Sequence, residues 1–366
     1  MKLRYKILNS FLAVVVIVVG AFAFVLSRTE PCEPAPAIAP GTETMKAIVY
    51  RCYGSPDVLT FEEVEKPTPA SEEVLVRVHA AAVNPYDWHY MRGSPYLMRL
   101  GSGLGSPKDI RLGADFAGTV VAVGDLVTEF TVGDEVFGGA AGAYAEYVTA
   151  SPKRIARKPA NVSFAEAASL PIAAITALQA LRDHGALKSG DKVLINGASG
   201  GVGTFAVQIA KSMGAEVYGV CSTRNVDMVL ALGADRVFDY KKEDYTQSGE
   251  QFDVIVDMIG NHSLLANRSV MAPDGRFVIV GGAKGNWIGP LIAPLKAMFV
   301  NPFVDQQMGM MIATMEGEDL AVLADLMERG ELVSRIDRRY SLDETADAIR
   351  YSEEGHARGK IIIDLE

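Results

Sequence analysis

Val193-Leu194-Ile195-Asn196-Gly197-Ala198-Ser199-Gly200-Gly201-Val202-Gly203-Thr204-Phe205-Ala206-Val207-Gln208-Ile209-Ala210 carries a short apolar run into a glycine-rich turn and out along an apolar pattern of helical spacing. In a parallel α/β unit such a turn brings backbone N–H groups and a helix N-terminus up to a dinucleotide pyrophosphate. Glycine is needed there wherever a Cβ would block the phosphate or the close helix–strand contact. A glycine triplet by itself is weak. Here Gly214-Ala215-Glu216-Val217-Tyr218-Gly219-Val220-Cys221 follows as a second strand at the right distance, and Leu232-Gly233-Ala234-Asp235 ends the next helix. The stretch therefore predicts a nucleotide-binding strand–turn–helix–strand unit, with Ser199, Gly200, Gly201, Val202 and Gly203 at the phosphates.

Reading outward, helices and strands alternate from about Ser163. Phe252 to Asp257 and Gly275 to Gly282 are near-continuous apolar strands, as a buried parallel sheet requires. Upstream, from Met45, come short strands and glycine turns with alternating character, the pattern of a β-rich, barrel-like domain. After about Gly317 stand two amphipathic helices and a last strand, Lys360 to Asp364. The chain holds no internal repeat.

A length of 366 residues suggests two domains, and 49% hydrophobic with 22% charged residues is ordinary for a globular protein. A net charge of −10, with no basic run, argues against nucleic acid as a partner. The three cysteines (Cys32, Cys52, Cys221) are far apart and form no C-x-x-C, so neither a disulfide framework nor a cysteine-built zinc site is expected.

The N-terminus differs in kind. Lys2, Arg4 and Lys6 precede an uncharged run from Ile7 to Ser27. As a helix, Ser10 to Ser27 would be about 27 Å long, close to a bilayer core of roughly 30 Å. The run reads as a single-pass membrane anchor. A cleaved signal or targeting segment is the alternative, with Ala21-Phe22-Ala23 and Ala37-Ile38-Ala39 as small-x-small sites. The Pro/Ala/Glu-rich stretch from Pro31 to Thr44 reads as a flexible tether of about fifteen residues.

In this order the pieces resemble the medium-chain dehydrogenase/reductase superfamily, in its zinc-independent quinone-oxidoreductase branch, and look similar to the mitochondrial reticulon-interacting oxidoreductases. The markers are Ala81 to Asp87 (Ala-Ala-Val-Asn-Pro-Tyr-Asp), Gly113 to Gly118 (Gly-Ala-Asp-Phe-Ala-Gly), Gly197 to Gly203, and Glu354 to Lys360. The resemblance implies an α/β architecture: a Rossmann doubly wound parallel sheet over 165–316 and a split GroES-like β-barrel over 45–164 and 317–366. The anchor and tether, 1–44, precede both.

The zinc enzymes of this superfamily have a cysteine where this chain has Asn84, and Gly-His-Glu where it has Gly113-Ala114-Asp115. Catalytic zinc wants about three soft or imidazole ligands, so no metal is expected. NAD enzymes end the second strand with an acid that holds the ribose 2′-OH. Here Cys221 stands there, followed by Ser222, Thr223 and Arg224, which offer a hydroxyl and a bidentate cation to a 2′-phosphate. Tyr240 matches a family position beside that phosphate. The expected cofactor is NADPH.

By resemblance, Thr176, Gly281, Gly282 and Lys360 lie beside the cofactor, and Asn84 lines the pocket near the nicotinamide. Tyr86 either donates a proton or forms an apolar wall; Asp87 is either catalytic or a turn cap. The expected activity is NADPH-dependent hydride transfer to a quinone or α,β-unsaturated carbonyl. An enoyl-thioester reductase and a non-catalytic NADPH-binding protein are the alternatives. A homodimer is expected through the strand Arg276 to Val280, with Trp287 to Ile292 beside it or lying as a lid over the cleft. The basic N-terminus tends to keep that end cytoplasmic and send the body across the membrane, whereas NADPH and three unpaired cysteines fit a reducing side better. The side of the membrane is left open.

Overall fold

The computed structural model describes residues 2–282, 285–287 and 289–365. Ile288, within the expected lid or interface segment, lies outside the described residues, as do the side chains of Lys2, Arg4, Lys6 and Pro290.

Helix α1 (Lys2–Ser27) is followed by a two-stranded antiparallel ribbon of β1 (Thr44–Val49) and β2 (Thr60–Glu65). Then come β3 (Val74–Val83), α2 (Pro85–Arg92), the short α3 (Arg99–Ser102), β4 (Asp115–Val123), β5 (Glu135–Gly139), β6 (Tyr147–Ala150) and β7 (Ile155–Arg157). Helices α4 (Phe164–Ala168) and α5 (Pro171–Gln179) lead to β8 (Lys192–Asn196), α6 (Gly201–Ser212), β9 (Glu216–Cys221), α7 (Val226–Ala231), β10 (Arg236–Asp239) and β11 (Phe252–Asp257). Next are α8 (Leu264–Ser269), β12 (Met271–Ile279), α9 (Ile292–Val300) and β13 (Gln307–Met310). The chain ends through α10 (Gly317–Glu328), β14 (Ile336–Ser341), α11 (Thr345–Glu353) and β15 (Lys360–Asp364).

Six strands form a parallel sheet in the order β10-β9-β8-β11-β12-β13. The chain winds outward from β8 in one direction and returns through β11 in the other. The crevice at the carboxyl ends of β8 and β11 is therefore the switch point, where a doubly wound sheet binds ligands. Both faces are covered, one by Ile195, Phe205, Val207 and α5, the other by Leu194, Tyr218, Phe238 and Phe252. This explains why these strands read as unbroken apolar runs.

The second sheet runs β14-β15-β3-β4-β5-β7, with β6 also on β3. Its second strand, β15, comes from the far end of the chain and pairs antiparallel with β3, placing Ile361 opposite Val83. That single register decides the site, because it sets Lys360 beside Asn84.

Three expectations are corrected here. Cys32 and Cys52 are joined as a disulfide across 20 residues, and only Cys221, buried, is free. Spacing cannot reveal such a pair, since it depends on where the segment after α1 folds back, and the case for a reducing side from three unpaired cysteines falls with it. The stretch after α1 is exposed and without regular structure, yet it is pinned at its start. Glu30 N–H donates to Gly105 O (2.9 Å) and Thr29 bridges Gly105, so it is not a free tether. Finally, the edge of the parallel sheet is β13, not Arg276–Val280, because Gln307–Met310 adds a strand outside β12.

Candidate active site

The site grows from the start of α2. Asn84 has extended backbone (φ −130°, ψ 159°) and Pro85 takes the first helical position, where its missing N–H costs nothing. Asp87 at the third helical position closes a capping box: its Oδ2 accepts from Asn84 N–H at 2.7 Å. The same oxygen accepts from Tyr144 OH at 2.8 Å. Asp87 is thus a cap, fully buried, and its Oδ1 has no hydrogen-bond partner among the described residues. Burial pushes its carboxyl up to about 7.

Asn84 lies between opposite charges. Its Oδ1 accepts from Lys360 Nζ at 2.6 Å, while its Nδ2 donates to Asp115 Oδ2 at 2.9 Å and Ala82 O at 3.2 Å. Lys360 Nζ also donates to Val83 O at 3.2 Å and stands 3.9 Å from Asp115. Asp115 in turn accepts from Ile172 N–H at the start of α5, at 3.1 and 3.2 Å. Lys360 and Asp115 are buried, and burial drives the ammonium down and the carboxyl up to about 6, each opposed by the other's charge. The network ties β4, β15 and the start of α2 to the start of α5 at the base of the cleft. Asn84 spends its whole amide on this network. Of the expected catalytic set only Tyr86 is exposed. Its ring packs tilted against Tyr90, centroids 4.3 Å apart, and partial loss of water around its hydroxyl raises its pKa, so it remains a neutral donor.

The glycine turn divides by steric role. A Cβ on Gly203 would stand 2.1 Å from Gly197 O, and one on Gly281 would stand 2.1 Å from Met258 O, so both are required by the chain's own packing. A Cβ on Gly200 would meet nothing nearer than 3.5 Å, whereas one on Gly201 would stand 3.1 Å from Cδ of the buried Lys360 and 3.7 Å from Gly359 O. At Gly200 the lack of a side chain answers no internal need. It leaves a cradle at the N-terminus of α6, the shape and polarity that a pyrophosphate fits. Gly200 bridges Gly359, so Lys360 lies between the cradle and Asn84. Thr176 lies one turn beyond Ile172 on α5 and is buried; Val202 and Gly282 line the same end of the sheet.

At the end of β9, Ser199 Oγ accepts from Asn225 Nδ2 (3.0 Å), which also contacts Ser222 Oγ (3.2 Å). Arg224 is exposed and donates to His356 O (3.0 Å). Arg358 Nε donates to Asn225 Oδ1 at 2.9 Å, which brings a second guanidinium to the place. The nearby carboxylate of Asp239 is taken by Thr223 Oγ1 (2.7 Å) and Lys242 (3.2 Å), and Tyr240 beside it is exposed. Sequence reasoning singled out neither Asn225 nor Arg358, nor the buried Asp115. The signal for Asp115 is an acid inside the apolar Gly113-to-Gly118 stretch, and that for Arg358 is a basic residue just before the last strand.

Residues 70–160 match the alcohol dehydrogenase GroES-like domain and residues 232–363 match the family model described as zinc-binding dehydrogenase. The chain is 34% identical to a chloroplastic quinone-oxidoreductase, QR1, of Triphysaria versicolor, over 87% of this chain and 98% of that protein. It is 32% identical to the chloroplastic NADPH-dependent alkenal/one oxidoreductase of Arabidopsis thaliana, over 87% and 79%. The structure of the quinone oxidoreductase from Coxiella burnetii superposes with a TM-score of 0.79 at 32% identity, over 88% and 100%. The chain belongs to the medium-chain dehydrogenase/reductase superfamily, in the zinc-independent branch of the quinone oxidoreductases, and is an oxidoreductase using a nicotinamide cofactor.

Proposed function

We propose that this protein is an NADPH-dependent, zinc-independent reductase of quinones or α,β-unsaturated carbonyls. The carrying observation is the pair of guanidiniums, Arg224 and Arg358, set with Ser222 at the end of β9, where the Asp239 carboxylate is already taken by Thr223 Oγ1 and Lys242. The cradle at Gly200 and Gly201 would hold the pyrophosphate, and the bound nicotinamide supplies hydride. The chain's own residues do the rest. Lys360, Asn84 and Asp115 fix the floor of the cleft, and Tyr86 offers an oriented hydroxyl to the acceptor's developing oxyanion. Relatives named for quinones and for alkenals and enones support this acceptor class. Following NADPH oxidation with a panel of quinones, enones, an enoyl thioester and simple aldehydes tests it. Turnover confined to the thioester, or no turnover at all, overturns it.

The reading includes a membrane anchor. Asn9–Ser27 has a mean hydropathy of 2.7 and is almost wholly exposed, which suits lipid rather than water. Its last residues dock on the body through Leu26, fully buried, a use that a cleaved signal segment would not have. The reading also includes a homodimer across the β13 edge, supported by the exposed Met310, Ile312, Phe299 and Phe303 near it. Light scattering at monomer mass across micromolar concentrations would count against that dimer.

A further inference from the structure

Arg99 is buried, yet among the described residues no carboxylate pairs with it. Its Nη1 donates to Leu26 O (3.1 Å), Arg28 O (2.8 Å) and Thr29 Oγ1 (3.4 Å). Its Nη2 and Nε donate to Arg92 O (3.1 Å) and Gly93 O (2.8 Å), and the guanidinium lies over the rings of Tyr53 (4.4 Å) and Tyr96 (4.8 Å). A buried cation is costly unless its donors are met, and here several are spent on the orphan carbonyls at the C-terminus of α1, the negative end of that helix. The Thr29–Gly105 bridge and the Cys32–Cys52 disulfide hold the next residues to the same body. Five consecutive turns of exposed apolar helix thus leave the molecule from a rigid socket.

That socket is the segment 94–105, which follows α2 and so the floor of the cleft. The segment also reaches across to the other sheet's domain: Tyr96 N–H donates to Asn286 O (2.8 Å), Ser94 Oγ to Asn286 Oδ1 (2.8 Å), and Tyr96 packs edge-on against Trp287 at 4.8 Å. Its outer surface carries Leu97, Leu100 and Leu104, which are 37%, 56% and 51% exposed. We infer that α1 is a strut rather than a leash: seated in a phospholipid bilayer, it presses this leucine-bearing segment into the interface, so that the cleft opens beside the lipid. The occupant of the leucine surface is the bilayer because the lipid-compatible helix leaves the body at that surface, with no free chain between them. The inference rests on the anchor reading and adds a fixed orientation to it. Lipid-dissolved acceptors then enter without crossing bulk water.

The full chain is reconstituted into phosphatidylcholine vesicles with an environment-sensitive fluorophore on Leu100→Cys or, separately, Leu126→Cys. Leu126 is 65% exposed and follows the far end of β4 from Asp115, about 25 Å away along the strand. Quenching by spin-labelled lipid severalfold stronger at position 100 than at 126 is expected. Equal quenching of a chain that floats with the vesicles overturns the strut while leaving the anchor. A chain that does not float overturns both. With Arg99→Gln the chain should still float but lose the contrast between the two labels; contrast that survives overturns the role given to Arg99.

Discussion

Lys360 Nζ and Asn84 Oδ1 meet at 2.6 Å although 276 residues separate them in the chain. The contact follows from one register, Ile361 opposite Val83, and it converts a C-terminal strand into part of the cleft floor. Removing the cation leaves Asp115 buried without its counter-charge, a change that costs about 3 kcal/mol or more. Lys360→Met should therefore lower the melting temperature by several degrees. Asn84→Ala should lower kcat about tenfold, and unchanged kcat and KM would take Asn84 out of the machinery.

Gly200 and Gly203 should separate stability from cofactor binding. Gly203→Ala forces a Cβ onto Gly197 O and should cost several degrees in a thermal melt. Gly200→Ala meets no such neighbour, so the melt of the free protein should hardly move while the Kd for NADPH rises at least tenfold. Titration by fluorescence or calorimetry checks both, and equal behaviour of the two variants would remove the cradle.

Arg224→Ala should weaken NADPH severalfold to tenfold while leaving NADH nearly unchanged, because only NADPH carries the 2′-phosphate that a guanidinium meets. Adding Arg358→Ala should widen the loss. An equal loss for both cofactors would count against the assignment.

Asp87 couples the fold to pH. Its native carboxyl is pushed up to about 7 by burial, above the ordinary value of about 4 in an unfolded chain. A raised carboxyl stabilises the fold while both states are protonated, and that contribution disappears as pH climbs through the native value. Asp87→Asn has no proton to lose. From pH 5 to pH 8 the native protein should lose at least about 1 kcal/mol relative to this variant, read from denaturant curves at each pH. A difference that does not change with pH would refute it.

The disulfide closes a 20-residue separation, for which chain entropy gives about 3 kcal/mol. Cys32→Ser should speed proteolysis within residues 31–43 at least tenfold and leave NADPH affinity unchanged. Cleavage at the same rate with and without the bond would show that the other contacts suffice.

What depends on near neighbours is legible along the chain. Apolar runs of strand length, a glycine turn with Gly197 at φ +95°, and a helical apolar stripe after it are local constraints, and they announced the parallel sheet and its ligand end. The Asn84–Pro85 start of α2, with Asp87 at its third position, is local in the same way. Tertiary structure alone decided which residues share the cleft. The seating of Lys360 on Asn84, of Arg99 on the end of α1, and of Cys32 against Cys52 all arise from register and fold-back between distant segments. No short-range periodicity encodes those. The edge strand is the same case: β13 outflanks β12 because a strand's place in a sheet is set by which neighbour buries it, and that neighbour lies outside any local window.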